Sequence, residues 1–226
     1  MSRGKSIQVT LKHSRSATDR IYYPVFLDIS GKPCLVVGGG SVAEQKVKIL
    51  LKFNATVRVV SPTASHFLNK LAEQVKIDLG LREYGAKDLE GIGLVFAATN
   101  QESVNRRIRD DARVLNIPIN VVDNPALCDF IVPSIVKKDP IIVAISTSGT
   151  LPLLSKKLRR EIARGITQDY VRYAGIIGRF RKVLMEEVKD KDLRRSIMGK
   201  IARTDMAKIT EMGFRKVKKT FLESKE

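Results

Sequence analysis

Tryptophan is absent, cysteine and histidine occur only twice each, and aromatics make up 6% of the 226 residues. Two thiols, Cys34 and Cys128, with no metal-ligand spacing around them exclude a disulfide scaffold and a zinc module. Two reduced thiols in a cytoplasmic protein are expected. His13 lies in the basic first twenty residues and His66 at an expected helix start. Neither completes a Ser-His-Asp or Cys-His arrangement or a metal cluster, so no metal site is expected. No apolar run approaches the roughly 18 residues of a membrane span. The first twenty residues also lack the apolar segment of a secretory signal. The expectation is a cytoplasmic chain with no membrane partner.

Negative charge is scarce at one end. The net charge is +17, and residues 151–226 carry twenty-one Lys and Arg against ten Asp and Glu, whereas residues 21–150 are nearly balanced. A basic third of this kind suits nucleic acid, a small polyanionic ligand, or plain solubility, and composition does not choose among them.

The chain alternates strand and helix patterns from Pro33 onward. Pro33–Val37 is a short apolar run, followed by glycines and a helical pattern with Ala43, Val47, Leu50 and Leu51 on one face. Thr56–Val60 is a second strand, ended by Ser61-Pro62. A helix over about 64–73 and a strand near 75–79 follow. Leu94–Ala98 is wholly apolar, as in a parallel sheet covered on both faces. Thr99 and Glu102 have capping-box spacing ahead of a helix to about Leu115, and Pro118–Val122 is a further strand. The pattern predicts an α/β fold with a doubly wound parallel sheet. After Pro125, strands over 134–138 and 141–146 flank the Asp139-Pro140 turn. The remainder from Pro152 reads as basic amphipathic helices, with breaks expected at Gly165, Gly178, Gly199 and Gly213.

Gly38-Gly39-Gly40-Ser41-Val42-Ala43 fits G-x-G-x-x-A directly after a strand and before a helix. In that context Gly38 permits the turn, Gly40 lets a pyrophosphate approach the backbone, and Ala43 allows close helix–strand packing. A glycine-rich turn without a ligand is the alternative. The ribose-reading acid expected about 20 residues on is missing, since the second strand ends in Val60-Ser61-Pro62-Thr63. Ser61 or Thr63 could hydrogen-bond a ribose or could cap a helix, and the choice between NAD and NADP stays open. Asp123 ends a central strand where open sheets hold ligands. It could be a general base or a loop-capping residue bonded to its own backbone.

Taken together, Tyr23–Leu27, Cys34–Lys46, Phe96–Thr99, Asn120–Asp123, Phe130–Ser134 and Val143–Thr150 resemble, in order and spacing, the precorrin-2 dehydrogenase family, which includes the N-terminal half of multifunctional siroheme synthases. The resemblance spans about residues 22–165. It implies NAD as hydride acceptor, a Rossmann domain, a dimerisation region, a helical C-terminal domain, and oxidation of the tetrapyrrole precorrin-2 to sirohydrochlorin. It places Asp123 on the family's catalytic aspartate. With the glycine motif, it implies cofactor contacts from Gly38, Gly39, Gly40, Ser41, Val42, Ser61, Thr63, Ala64 and Thr99. On the substrate side it implies Asn120, Ser146, Thr147, Ser148 and Gly149. Thr147 stands where some relatives carry a serine, so a serine-specific role does not carry over. Some members also insert iron into sirohydrochlorin and others do not, which leaves chelation open.

The expected organisation is a loose basic arm over 1–20, a Rossmann domain over 21–125, a dimerisation region over 126–165 that makes the chain a homodimer, and a basic helical domain over 166–226. A macrocycle with eight carboxylates matches the basic third. The rivals are a Rossmann dehydrogenase of another small substrate, and a dinucleotide-sensing module whose tail binds nucleic acid. The tail's scattered aromatics, Tyr170, Tyr173, Phe180, Phe214 and Phe221, argue against base stacking and so against the second.

Overall fold

The computed structural model describes residues 20–223. The first nineteen residues of the expected arm, His13 among them, lie outside the described residues. The chain forms two units, one running through Val132 and one beginning at Pro133.

In the first unit, β1 (Pro33–Val37), β2 (Thr56–Val60), β3 (Asp78–Gly80), β4 (Leu94–Ala97) and β5 (Ile119–Val121) form one parallel sheet in the order β3-β2-β1-β4-β5. β1 takes the centre with β4 and β2 beside it, and β1 and β4 are almost wholly apolar, as strands covered on both faces are. Cys34, Val36, Val57, Val59 and Phe96 pack under α1 (Ser41–Lys52) and α2 (His66–Glu73). Leu35, Val37, Val95, Ala97, Ile119 and Val121 pack under Ile108 and Ala112 of α3 (Glu102–Val114). This is the expected doubly wound α/β arrangement. The chain leaves β1 toward one edge and β4 toward the other, and that reversal opens a crevice at the strands' C-terminal ends.

Local details correct the sequence reading. α2 starts at His66, with the Ser65 hydroxyl accepting from the Leu68 amide. The third strand begins at Asp78 because the preceding turn consumes Val75, which adopts φ +54°. The Thr99–Glu102 capping box does not form. Asn105 captures Thr99 instead, and Glu102 pairs with Arg106 one turn on.

In the second unit, β6 (Ser134–Lys138) and β7 (Ile141–Ile145) form an antiparallel ribbon packed by α4 (Pro152–Gly165). Lys138 Nζ donates to the carbonyls of Ala163 and Ile166, both at 2.6 Å, satisfying the orphaned C-terminus of α4. Helices α5 (Gln168–Glu187), α6 (Lys191–Ala202) and α7 (Met206–Lys218) close over Ile176, Phe180, Leu184, Ile197, Ile201, Ile209 and Val217. Gly178 and Gly199 lie inside helices rather than between them. An interior glycine costs only about 1 kcal/mol against alanine, which burial of Phe180 and Leu184 on the same helix outweighs. The breaks fall where Asp190 and Asp205 cap α6 and α7 by accepting two amides each. Gly165 does end α4, and Gly213 kinks α7 at φ +67°.

Candidate active site

The glycine loop is built by two different constraints. Gly38 has φ +129°, and a Cβ there would collide with the Ala98 carbonyl. A Cβ on Gly39 would collide with the Thr63 carbonyl, and the Gly39 carbonyl accepts from the Ser65 amide at 2.9 Å. Gly40 has ordinary extended angles, and nothing lies within 4 Å of its missing Cβ. It is the N-cap of α1 and offers no side chain, so the amides of Ser41, Val42 and Ala43 have no acceptor among the described residues. Three unpaired amides at the positive end of a helix dipole form an anion site.

These residues border a cleft of about 770 Å³, within the usual range for a small-molecule site. Gly38, Gly39, Gly40, Ser41, Val42, Ser61, Thr63, Thr99 and Asp123 all line it. Ala64 does not; it packs against the sheet core. The cleft, its anion site and the open space above Gly40 fit a dinucleotide with its pyrophosphate on the α1 amides.

Asp123 follows β5 in a left-handed conformation, φ +58°, that Asp tolerates better than most residues. Its carboxylate makes no hydrogen bond among the described residues, so the loop-capping alternative is not what holds it. The strand end is fixed from behind by Cys128, whose thiol meets both the amide and the carbonyl of Val121. Burial pushes both thiols up, Cys34 to about 11. Thr99 of the cleft lining is held by buried Asn105, which takes its hydroxyl at 2.8 Å and donates to its carbonyl at 3.0 Å.

Lys46 on α1 is half-buried above the Phe96 ring, 5.6 Å from its centroid, with no hydrogen-bond acceptor among the described residues. Burial lowers its ammonium's pKa, partly offset by the nearby Cys128 and Asp123. Lys46 is outside the cleft lining, so Asp123 has the cleft on one side and this cation near it.

The remaining expected residues lie elsewhere. Asn120 is buried, and its amide donates to the Phe130 carbonyl at 2.9 Å, tying the returning segment to β5. Ser146, Thr147, Ser148 and Gly149 belong to the second unit, in the loop between β7 and α4. There Ser146 Oγ accepts from the Ser148 amide, and Thr147 Oγ1 accepts from the Leu151 amide.

Sequence reasoning missed Glu83, Tyr84, Val104 and Arg107, which complete the cleft wall. Tyr84 is buried, donates to Asp111 at 3.1 Å, and has its hydroxyl pKa raised by that burial. Arg107 lies over its ring at 5.9 Å. No local pattern marks these residues, because packing of the 82–89 turn against α3 brings them together. Among the described residues no group of three or more His, Cys, Asp and Glu could hold a metal ion, and no helix is long and apolar enough to cross a membrane.

Residues 25–134 match the NAD_binding_7 family of NAD(P)-binding domains. A siroheme synthase of Nitrosomonas europaea is 40% identical over 193 residues, 85% of this chain and 41% of the relative. Another from Pseudoalteromonas atlantica is 42% identical over 168 residues, 74% of this chain and 36% of the relative. The chain thus spans about two fifths of the length of these curated relatives. Among solved structures, SirC, a precorrin-2 dehydrogenase, superposes with a TM-score of 0.68 at 25% identity, covering 89% of this chain and 98% of SirC.

Proposed function

We propose that this chain belongs to the precorrin-2 dehydrogenase and siroheme synthase family and oxidises precorrin-2 to sirohydrochlorin with NAD as the hydride acceptor. The observation that carries the reading is Asp123, whose carboxylate has no hydrogen bond among the described residues, lining the same cleft as Ser41 and Val42, whose amides are unpaired. One feature holds a phosphate and the other accepts a proton.

When bound, NAD supplies the two-electron acceptor. The amides at the start of α1 bind its pyrophosphate, and Gly40 leaves the space for it. A carboxylate oxygen of Asp123 takes the proton that leaves the substrate as the hydride departs, which balances the loss of two hydrogens. Cys128 holds the strand end that carries Asp123. Lys46 places a positive charge near that carboxylate. The basic residues of the second unit attract a substrate bearing eight carboxylates. A cytoplasmic setting accords with two free, buried thiols.

The nucleic-acid reading of the basic helices finds less support. Phe180 is fully buried, Tyr173, Phe214 and Phe221 pack on the same helical core, and only Tyr170 is well exposed. Base stacking needs exposed rings. A homodimer is part of the proposal, since among the described residues β6 and β7 pair only with each other and leave β7 half-exposed along its length. Two-stranded ribbons are marginal alone and gain stability from a second packing partner.

The test is an anaerobic absorbance assay of precorrin-2 with NAD, with and without ferrous iron as a further substrate. Appearance of sirohydrochlorin dependent on NAD is expected. Unchanged precorrin-2 overturns the proposal, and a further spectral change with iron identifies chelation.

A further inference from the structure

The second strand ends without the acid that usually holds the adenosine ribose of NAD, yet the cleft has an acid at that end. β3 lies beside β2 with Gly80 opposite Val60, and the Ser61 amide donates to the Gly80 carbonyl at 3.1 Å. Glu83, three residues past Gly80, therefore joins Ser61 and Thr63 in the cleft wall at the β2 edge. β3 and β5 are the two outer strands, so this edge is opposite the one where Asp123 stands.

Glu83 is held out to the cleft by a clamp rather than left on a loose loop. Arg82 grips Asp88 with both terminal nitrogens, at 2.8 and 2.5 Å, and also donates to the backbone carbonyl of Glu83 at 3.1 Å. Asp88 in turn accepts from the Gly85 amide at 2.9 Å. The Glu83 side chain has no hydrogen bond or ion pair among the described residues, and it is exposed. The arginine beside it is committed to Asp88, so it is not free to take a phosphate. Arg107 lies against Tyr84 and reaches Asp111 only at 3.9 Å.

We propose that Glu83 is the specificity-determining residue of the cleft: its carboxylate accepts hydrogen bonds from the adenosine ribose hydroxyls of NAD and repels the 2′-phosphate of NADP. The inference rests on the dinucleotide reading of the cleft. A dianionic phosphate beside an uncompensated carboxylate is electrostatically unfavourable near a protein surface, and a buried or rim carboxylate on the ribose is the usual device for rejecting NADP. Arg107 lies in the same cleft wall over the Tyr84 ring, so its loss should fall on both cofactors alike.

Dissociation constants for NADH and NADPH, read by nucleotide fluorescence on the full chain, test this without turnover. The parent protein is expected to favour NADH. Glu83→Gln should narrow the NADH-to-NADPH ratio by about tenfold, Glu83→Lys should invert it, and Arg107→Met should weaken both nucleotides together. Thermal melts check that the variants stay folded, which an exposed, unbonded side chain favours. A ratio unmoved by either Glu83 variant overturns the assignment, as does a ratio governed by Arg107→Met. A parent protein that binds neither nucleotide overturns the dinucleotide reading itself, and the role of Glu83 with it.

Discussion

The Cys128 thiol meets Val121 twice over: its Sγ lies 3.2 Å from the Val121 nitrogen and 3.1 Å from the Val121 carbonyl oxygen, with Asn120 and Asn124 also in contact. The segment after β5 is thereby stapled to the strand it has just left, two residues before Asp123. Cys128→Ala leaves the buried Val121 amide unpaired, while the Val121 carbonyl keeps the Asn124 amide, and is expected to cost about 1–2 kcal/mol in urea denaturation. The parent thiols should resist Ellman's reagent at pH 8, because burial raises both thiol pKa values and holds Cys34 at about 11. Rapid labelling of the native protein would contradict that burial.

Glycines 39 and 40 should behave oppositely on substitution. Gly40→Val places its branches in the open cleft, so the fold survives within about 1 kcal/mol of N-cap preference while dinucleotide binding is abolished. Gly39→Ala drives a methyl into the Thr63 backbone and should destabilise by about 1–3 kcal/mol. Melting curves and NADH titrations of the two variants read both effects. Equal behaviour of the pair refutes the division of labour.

Asp123→Asn keeps the side-chain shape and removes the proton acceptor. NADH affinity is expected to hold while precorrin-2 oxidation falls by roughly two orders of magnitude. Turnover at the parent rate would mean that the proton leaves by another route.

The Arg82–Asp88 clamp predicts a pH-dependent contribution to stability. Chiefly through its hydrogen bonds to Arg82, Asp88 has its pKa held below the ordinary carboxylate value. A carboxyl depressed in the folded state stabilises the fold above its unfolded pKa of about 3.9, and that contribution fades as pH falls toward the folded value. Arg82→Met should therefore lower stability at pH 7, to a degree limited by solvent screening of the exposed guanidinium, and much less near pH 3. Urea melts at the two pH values measure the difference.

Sedimentation at micromolar concentration should give roughly twice the 25.2 kDa chain mass. A monomer removes the homodimer from the proposal.

The sheet was legible because β1, β2 and β4 are apolar runs bounded by glycine, Ser-Pro and Thr-Asn, and burial on both faces leaves little choice of partner. The anion site was legible because strand, glycines and helix stand in register. What escaped depends on contacts across the fold. Asn105 outcompetes the Thr99–Glu102 cap from six residues away, and β3, expected near 75–79, is only three residues long and gives no period that fixes its bounds. Glu83 and Tyr84 follow it in a turn whose course is set by Arg82 reaching Asp88. In the helical unit the signal was present and misread: Asp190 and Asp205 are strong N-caps, whereas Gly178 and Gly199 are small residues inside helices held by their neighbours' burial.

Gly39 and Thr63 touch so closely that the loop after β1 and the loop after β2 are one piece of backbone, locked further by the Ser65 amide on the Gly39 carbonyl. Neither loop can be lengthened or displaced without the other. A descendant with a different nucleotide preference should differ from this chain by point substitutions at positions such as Glu83 and Thr63, and not by insertions in either loop.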